Sequence, residues 1–158
     1  MAVLDRVDLK ILDLLQHDCT LSIADIGEKV GLSTTPCWRR LQKIEERGLI
    51  RGRVAILDGD QLNVGETVFV AIRTSQHNSE WLEKFQKTVA AMPEVVDFFR
   101  LSGEIDYLIR AVLPNIRAYD NFYKRLIANI DLLDVSSMFA MEKIKSTTHL
   151  PLGYAVTR

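Results

Sequence analysis

The stretch Gly31-Leu32-Ser33-Thr34-Thr35-Pro36-Cys37-Trp38-Arg39-Arg40-Leu41 constrains this chain more than any other part of it. It reads as the turn and the opening of the second helix of a helix-turn-helix. The run before it, Leu21 to Val30, fits the first helix of that unit. Ser22 can cap it, and Ile23, Ile26 and Val30 fall on one face. Gly31 supplies the tight turn, and Ser33 is expected to cap the next helix. A helix that opens with small polar residues and continues with arginines suits a DNA major groove. Its first turn can approach base edges while the arginines reach phosphates or guanine.

Charge localises that reading. The 158-residue chain carries a formal net charge of −1, which argues against a generally basic nucleic-acid binder. From Ser33 to Arg53, six basic residues (Arg39, Arg40, Lys43, Arg47, Arg51 and Arg53) are opposed only by Glu45 and Glu46, a local charge of +4. The remainder therefore carries −5. A basic patch on an otherwise acidic protein is a localised phosphate-binding face. Hydrophobic residues make up 47% and charged residues 26%, so a packed core is expected rather than disorder. Cys19 and Cys37 occur without a CxxC or paired histidines, which sets aside a disulfide framework and a zinc finger. The first residues lack a basic segment followed by an apolar one. No apolar run approaches the ~20 residues that span a bilayer. A cytoplasmic protein with no membrane partner is the expectation.

Periodicity divides the chain in two. Asp5 to His17 is amphipathic, with Val7, Ile11, Leu14 and Leu15 at helical spacing. Ser22 to Val30 and Ser33 to Arg47 are the second and third helices, with Gly48 as a left-handed cap. Leu49 to Leu57 reads as a short wing or strand. A winged helix-turn-helix over 1–57 and a polar, glycine-bearing linker over 58–65 follow. Residues 66–158 then change rhythm. Strands are expected at Thr67–Arg73, Val95–Leu101, Tyr107–Leu113 and Val135–Lys145. Helices are expected from Ser79 to about Met92 and from Asn115 onward, the latter with Ile116, Tyr119, Phe122, Tyr123 and Leu126 as its apolar side. The order β-α-β-β-α-β is the ferredoxin-like arrangement. Both helices can cover one sheet face, and the bare face implies a partner subunit. The fold class is α+β.

On the third helix, Cys37, Leu41 and Ile44 form the expected buried stripe. Thr35, Arg39 and Gln42 point away from it, with Thr34 and Trp38 nearer its edge. Ser33, Thr34, Thr35, Trp38, Arg39, Arg40, Gln42, Lys43, Arg51 and Arg53 are therefore the expected DNA-binding residues. The competing reading is an ordinary solvated helix, and the capped turn with its local charge favours DNA. Cys37 on the buried stripe reads as a small hydrophobe rather than a redox sensor, and Cys19 has no partner. In Ser102-Gly103-Glu104-Ile105-Asp106-Tyr107, glycine N–H groups could meet a carboxylate and Asp106 an ammonium group. Composition alone favours a plain β-turn there. His17, His77 and His149 are scattered, and no catalytic or metal-ligating set stands out, so no enzyme and no cofactor are expected.

These motifs together resemble the Lrp/AsnC (feast/famine) family of transcription regulators over nearly the whole chain. Asp8-Leu9-Lys10-Ile11-Leu12, Leu32 to Leu41, Gly48-Leu49-Ile50, Ser102 to Leu108 and Phe139-Ala140-Met141-Glu142 carry the resemblance. The Thr34-Thr35-Pro36-Cys37-Trp38 variant and the tail Ile144 to Pro151 look like its DecR-type branch, linked with cysteine metabolism. The resemblance implies a helix-turn-helix on double-stranded operator DNA. It also implies an oligomerising βαββαβ domain (RAM or ACT-like) that binds an amino-acid effector between dimers. Dimers would form through the sheets and assemble into an octamer of four dimers. Carried across, the effector residues are Ser102, Gly103, Asp106 and Tyr107, faced by Met138, Phe139 and Ala140. The alternatives are an effector-independent architectural DNA-binding protein and a small metabolic enzyme or its regulatory subunit.

Overall fold

A computed structural model describes residues 4–76, 78–128 and 130–155; His77 lies outside the described residues. The chain forms two compact units, Ile56–Ile144 and the described parts of Met1–Ala55 with Lys145–Arg158.

The helical unit contains α1 (Arg6–His17), α2 (Ile23–Val30) and α3 (Thr34–Glu46). Each start has a local cause. Asp5 Oδ1 accepts from the backbone N–H groups of Val7 and Asp8 at 2.8 and 2.9 Å, and Asp8 Oδ2 accepts from Asp5 N–H. Ser22 and Asp25 make the same reciprocal box at α2. Gly31 ends α2 at φ +74°, and Gly48 follows α3 at φ +68°. Ile11, Leu15, Ile26, Cys37, Leu41 and Ile44 form the core between the three helices.

Ser33 occupies the N-cap of α3 but its side chain makes no capping hydrogen bond. The cause is in the sequence: the third helical position is Pro36, which has no N–H to donate. A second glycine also shapes the turn. A Cβ at Gly27 would lie 2.7 Å from the carbonyl oxygen of Leu32, so a side chain there would collide with the backbone leading into α3. The expected wing is absent as a strand: residues 49–57 are unpaired, with Val54 79% and Ile56 78% exposed. An extended run without a neighbouring strand has no ladder to join. The tail packs within the helical unit. Gln16 donates to and accepts from the backbone of Leu150 at 3.2 and 2.9 Å, and the His17 and His149 rings lie 4.0 Å apart.

The second unit is an antiparallel sheet in the order β2-β3-β1-β4, from β1 (Glu66–Arg73), β2 (Val95–Arg100), β3 (Tyr107–Leu113) and β4 (Asp134–Phe139). This is the expected βαββαβ arrangement. Helices α4 (Ser79–Ala90) and α5 (Ile116–Ile127) cover one face. Phe85, Val89, Phe122 and Leu126 bury that face with Val68, Val70, Ile72 and Ile109. Asn78 caps α4, one residue before the expected Ser79. Asn115 caps α5 as expected, whereas Ile116 is exposed rather than apolar lining. The final strand stops at Phe139 instead of Lys145. Ala140 N–H still reaches Thr67, but β1 begins at Glu66 and offers nothing further to pair. Neither helix of this unit covers the opposite face, which presents Phe69, Leu108, Phe99 and Met138.

Substituting Gly27→Ala forces the turn apart, and the loss is expected at about 1–3 kcal/mol of helical-unit stability, the usual range for overpacking. Thermal melting of the variant beside the parent checks it; an unchanged melt contradicts the close approach.

Candidate functional site

Burial decides what α3 offers to solvent. Cys37, Leu41 and Ile44 are buried together, as the spacing predicts. Their burial turns Thr34, Thr35, Arg39, Gln42 and Lys43 outward, with Trp38 44% exposed at the edge. Ser33 is exposed just before them, and Arg51 and Arg53 follow on the open segment after the helix. Arg39, Lys43 and Arg51 make no ion pair among the described residues, so their charge is available to a polyanion. Arg53 Nη2 pairs with Glu45 at 2.6 Å, with both side chains about two-fifths exposed. Exposed pairs of this kind are worth little and are screened by salt, so phosphate can displace Glu45.

Arg40 behaves differently. One of its terminal nitrogens, Nη1, donates to Asp5 Oδ2 at 2.5 Å and to Asp8 Oδ1 at 2.7 Å. Each carboxylate thus uses one oxygen on the start of α1 and the other on Arg40. The N–H of Asp8, aided by the Arg40 guanidinium, holds the Asp5 carboxyl below the usual carboxylate range, while partial burial opposes the shift. The hydrogen bond to Asp5 likewise pushes the Arg40 guanidinium up. Sequence reasoning read Arg40 as a DNA contact and gave Asp5 and Asp8 no site role. Their partnership spans 35 and 32 residues, which local spacing does not reveal. Cys37 is fully buried, and burial pushes its thiol up, away from the reactive thiolate.

The candidate effector residues divide. Ser102 and Gly103 are exposed in the turn between β2 and β3, with Gly103 at φ +138°. Asp106 Oδ2 accepts from Thr74 N–H at 2.8 Å, Asp106 N–H donates to Ile72, and Leu101 N–H donates to the Asp106 carbonyl. Asp106 therefore ties the turn to the end of β1. The Tyr107 ring is buried on the helix side, packed on Phe85, Phe98 and Trp81 at centroid distances of 5.1, 5.6 and 5.9 Å. It braces the turn from beneath. On β4, Met138 is 51% exposed on the uncovered face, while Phe139 packs on Tyr119.

Register separates the two groups. Tyr107 of β3 pairs with Ile72 on β1, whereas Phe139 of β4 pairs with Val68 toward the other end of the same strand. Those two positions of β1 are four residues apart, roughly 13 Å at the usual rise. The turn and the end of β4 therefore sit at opposite ends of one sheet, and one protomer does not bring them together. A cleft of about 580 Å³ opens at the β4 end, lined by Asp60, Asn63, Glu66, Thr67, Ala140 and Glu142. Among the described residues no group of three or more His, Cys, Asp or Glu could hold a metal ion. No helix among the described residues is long and apolar enough to cross a membrane.

Comparison with known proteins joins the two units. Residues 4–45 match the AsnC-type helix-turn-helix domain, and residues 67–150 match the Lrp/AsnC ligand binding domain. The DNA-binding transcriptional activator DecR of Escherichia coli is 50% identical over 151 residues, covering 95% of this chain and 99% of that protein. The crystal structure of an AsnC family transcriptional regulator from Agrobacterium tumefaciens has 60% identity and a TM-score of 0.93, covering 96% of this chain and 99% of its own. A transcriptional regulator from Neisseria meningitidis, solved as an L-Met complex, has 35% identity and a TM-score of 0.90, covering 95% of this chain and 97% of its own. With a recognition-type helix, a four-stranded sheet domain and both family domains in order, the chain belongs to the Lrp/AsnC family of transcriptional regulators.

Proposed function

We propose that this chain regulates transcription by reading operator DNA with α3 and responds to an amino-acid effector through its sheet unit. The observation that carries the DNA reading is the outward set Thr34, Thr35, Trp38, Arg39 and Gln42 opposite the buried Cys37-Leu41-Ile44 stripe. In this reading, Thr35, Arg39 and Gln42 approach base edges, while Ser33, Lys43, Arg51 and Arg53 contact phosphates. Acting on operator DNA, the protein works in the cytoplasm.

The sheet unit assembles copies and holds the effector. The uncovered face with Phe69, Leu108, Phe99 and Met138 is the surface for a second copy, because an apolar sheet face is costly in water. The separation of the turn from the end of β4 supports a site closed between dimers, with four dimers in the full assembly. Ser102, Gly103 and Asp106 would come from one dimer, and Met138, Phe139 and Ala140 from another, with Tyr107 bracing the turn. An amino acid suits a turn that offers backbone N–H groups to its carboxylate and a carboxylate to its ammonium group. The Neisseria relative solved as an L-Met complex supports this class, and the resemblance to the cysteine-linked branch puts cysteine among the candidates. Effector binding would then change head spacing or assembly by a coupling of ~1–3 kcal/mol.

Arg39→Ala is expected to weaken binding to an operator selected from random DNA by about 1–3 kcal/mol and to relax discrimination at the base it contacts. Equilibrium binding to that operator and to its single-base variants reads both; unchanged affinity and discrimination contradict the groove assignment. Thermal unfolding against each of the twenty amino acids should give a shift with a small subset. Asp106→Asn keeps an acceptor for Thr74 N–H but removes the charge, so it should abolish that shift with operator binding intact. No shift with any amino acid would favour an effector-independent architectural protein.

A further inference from the structure

Arg40 lies beside Arg39 in the middle of the exposed DNA-reading helix, yet its guanidinium is turned back into its own unit. Both acceptors, Asp5 and Asp8, form the capping box of α1. The Asp8 side chain is only 15% exposed, and that of Arg40 is 34% exposed. One arginine against two carboxylates leaves a local charge of −1, so this cluster repels phosphate more than it attracts it. The geometry is that of a strut: it runs from the start of α1 to the second turn of α3 and resists rotation of α3 about its own axis.

We infer that Arg40 is a positioning residue that fixes the orientation of the recognition helix through Asp5 and Asp8, and that it does not contact DNA. Rotation of α3 would move Thr35, Arg39 and Gln42 out of register with base edges while leaving the total positive charge of the face almost unchanged. Loss of the strut therefore lowers discrimination between operator and random DNA more than it lowers non-specific affinity. A phosphate-contacting arginine behaves in the opposite way, supplying sequence-independent affinity and salt dependence. This inference rests on α3 being the DNA-reading helix.

The test measures affinity of the full chain for a selected operator and for a random duplex of equal length, across a salt series, for Arg40→Ala, Asp8→Asn and the Asp5→Asn/Asp8→Asn pair. Asparagine retains capping ability, so the aspartate variants keep α1 formed; circular dichroism at the assay temperature confirms folding. The expected result for Arg40→Ala is about tenfold weaker operator binding, with the random-DNA affinity and salt slope unchanged. The paired aspartate variant weakens operator binding too, although it removes two negative charges, and Asp8→Asn alone does so less. Two results would overturn the inference. One is a slope lowered by about one in Arg40→Ala. The other is tighter binding to both DNAs in the aspartate variants, as a freed Arg40 turns to phosphate. Arg39→Ala in the same series keeps the two readings apart: if it leaves operator affinity untouched, α3 is not the reading helix, whereas weakened operator binding in Arg39→Ala beside slope loss in Arg40→Ala defeats only the strut.

Discussion

Burial of the Cys37-Leu41-Ile44 stripe sets the rotation of α3, and what the helical unit can offer a ligand follows from that rotation. The stripe packs on Ile11, Leu15 and Ile26, so three short helices share one core. None would be stable alone, because isolated helices of this length are marginal in water. Small core, capping boxes and ion pairs therefore act together. The Asp5-Asp8-Arg40 cluster belongs to this set, since the same carboxylates start α1 and hold α3. It converts an end of one helix into a reference point for another.

The sheet unit carries a different constraint. Its helix-covered face is filled by aromatic and aliphatic side chains, with Phe85 at the centre of contacts to Trp81, Phe98 and Tyr107. Tyr107 thus supports the Ser102–Asp106 turn from within the core, and Asp106 anchors it to the end of β1. A rigid turn can present backbone donors with little reorganisation on binding, which is the physical advantage of building a site this way. Because β4 approaches β1 from the other side and ends at its far end, the proposed effector site takes its complementary half from another copy.

Much of this was legible in local sequence. Ser22, Gly31, Gly48 and Asn115 act at helix ends where short-range chemistry predicts them. The α3 stripe and the βαββαβ order followed from periodicity. What was not legible depended on partners. Ser33 fails to cap because Pro36 removes the N–H it would use. The run at 49–57 has the composition of a strand but no neighbour, and β4 ends where β1 runs out. The role of Arg40 was hidden because arginines in a helix beside a DNA-reading face look alike until their acceptors are known. The return of the tail to α1 through Gln16 and His17 has no local signature either.

A crystal structure of the chain bound to an operator selected from random DNA tests the account most directly. The account predicts α3 in the major groove, with Arg39 and Gln42 at base edges and Arg40 still hydrogen-bonded to Asp5 and Asp8. Arg40 on a phosphate, or Thr35, Arg39 and Gln42 facing away from the groove, would contradict it.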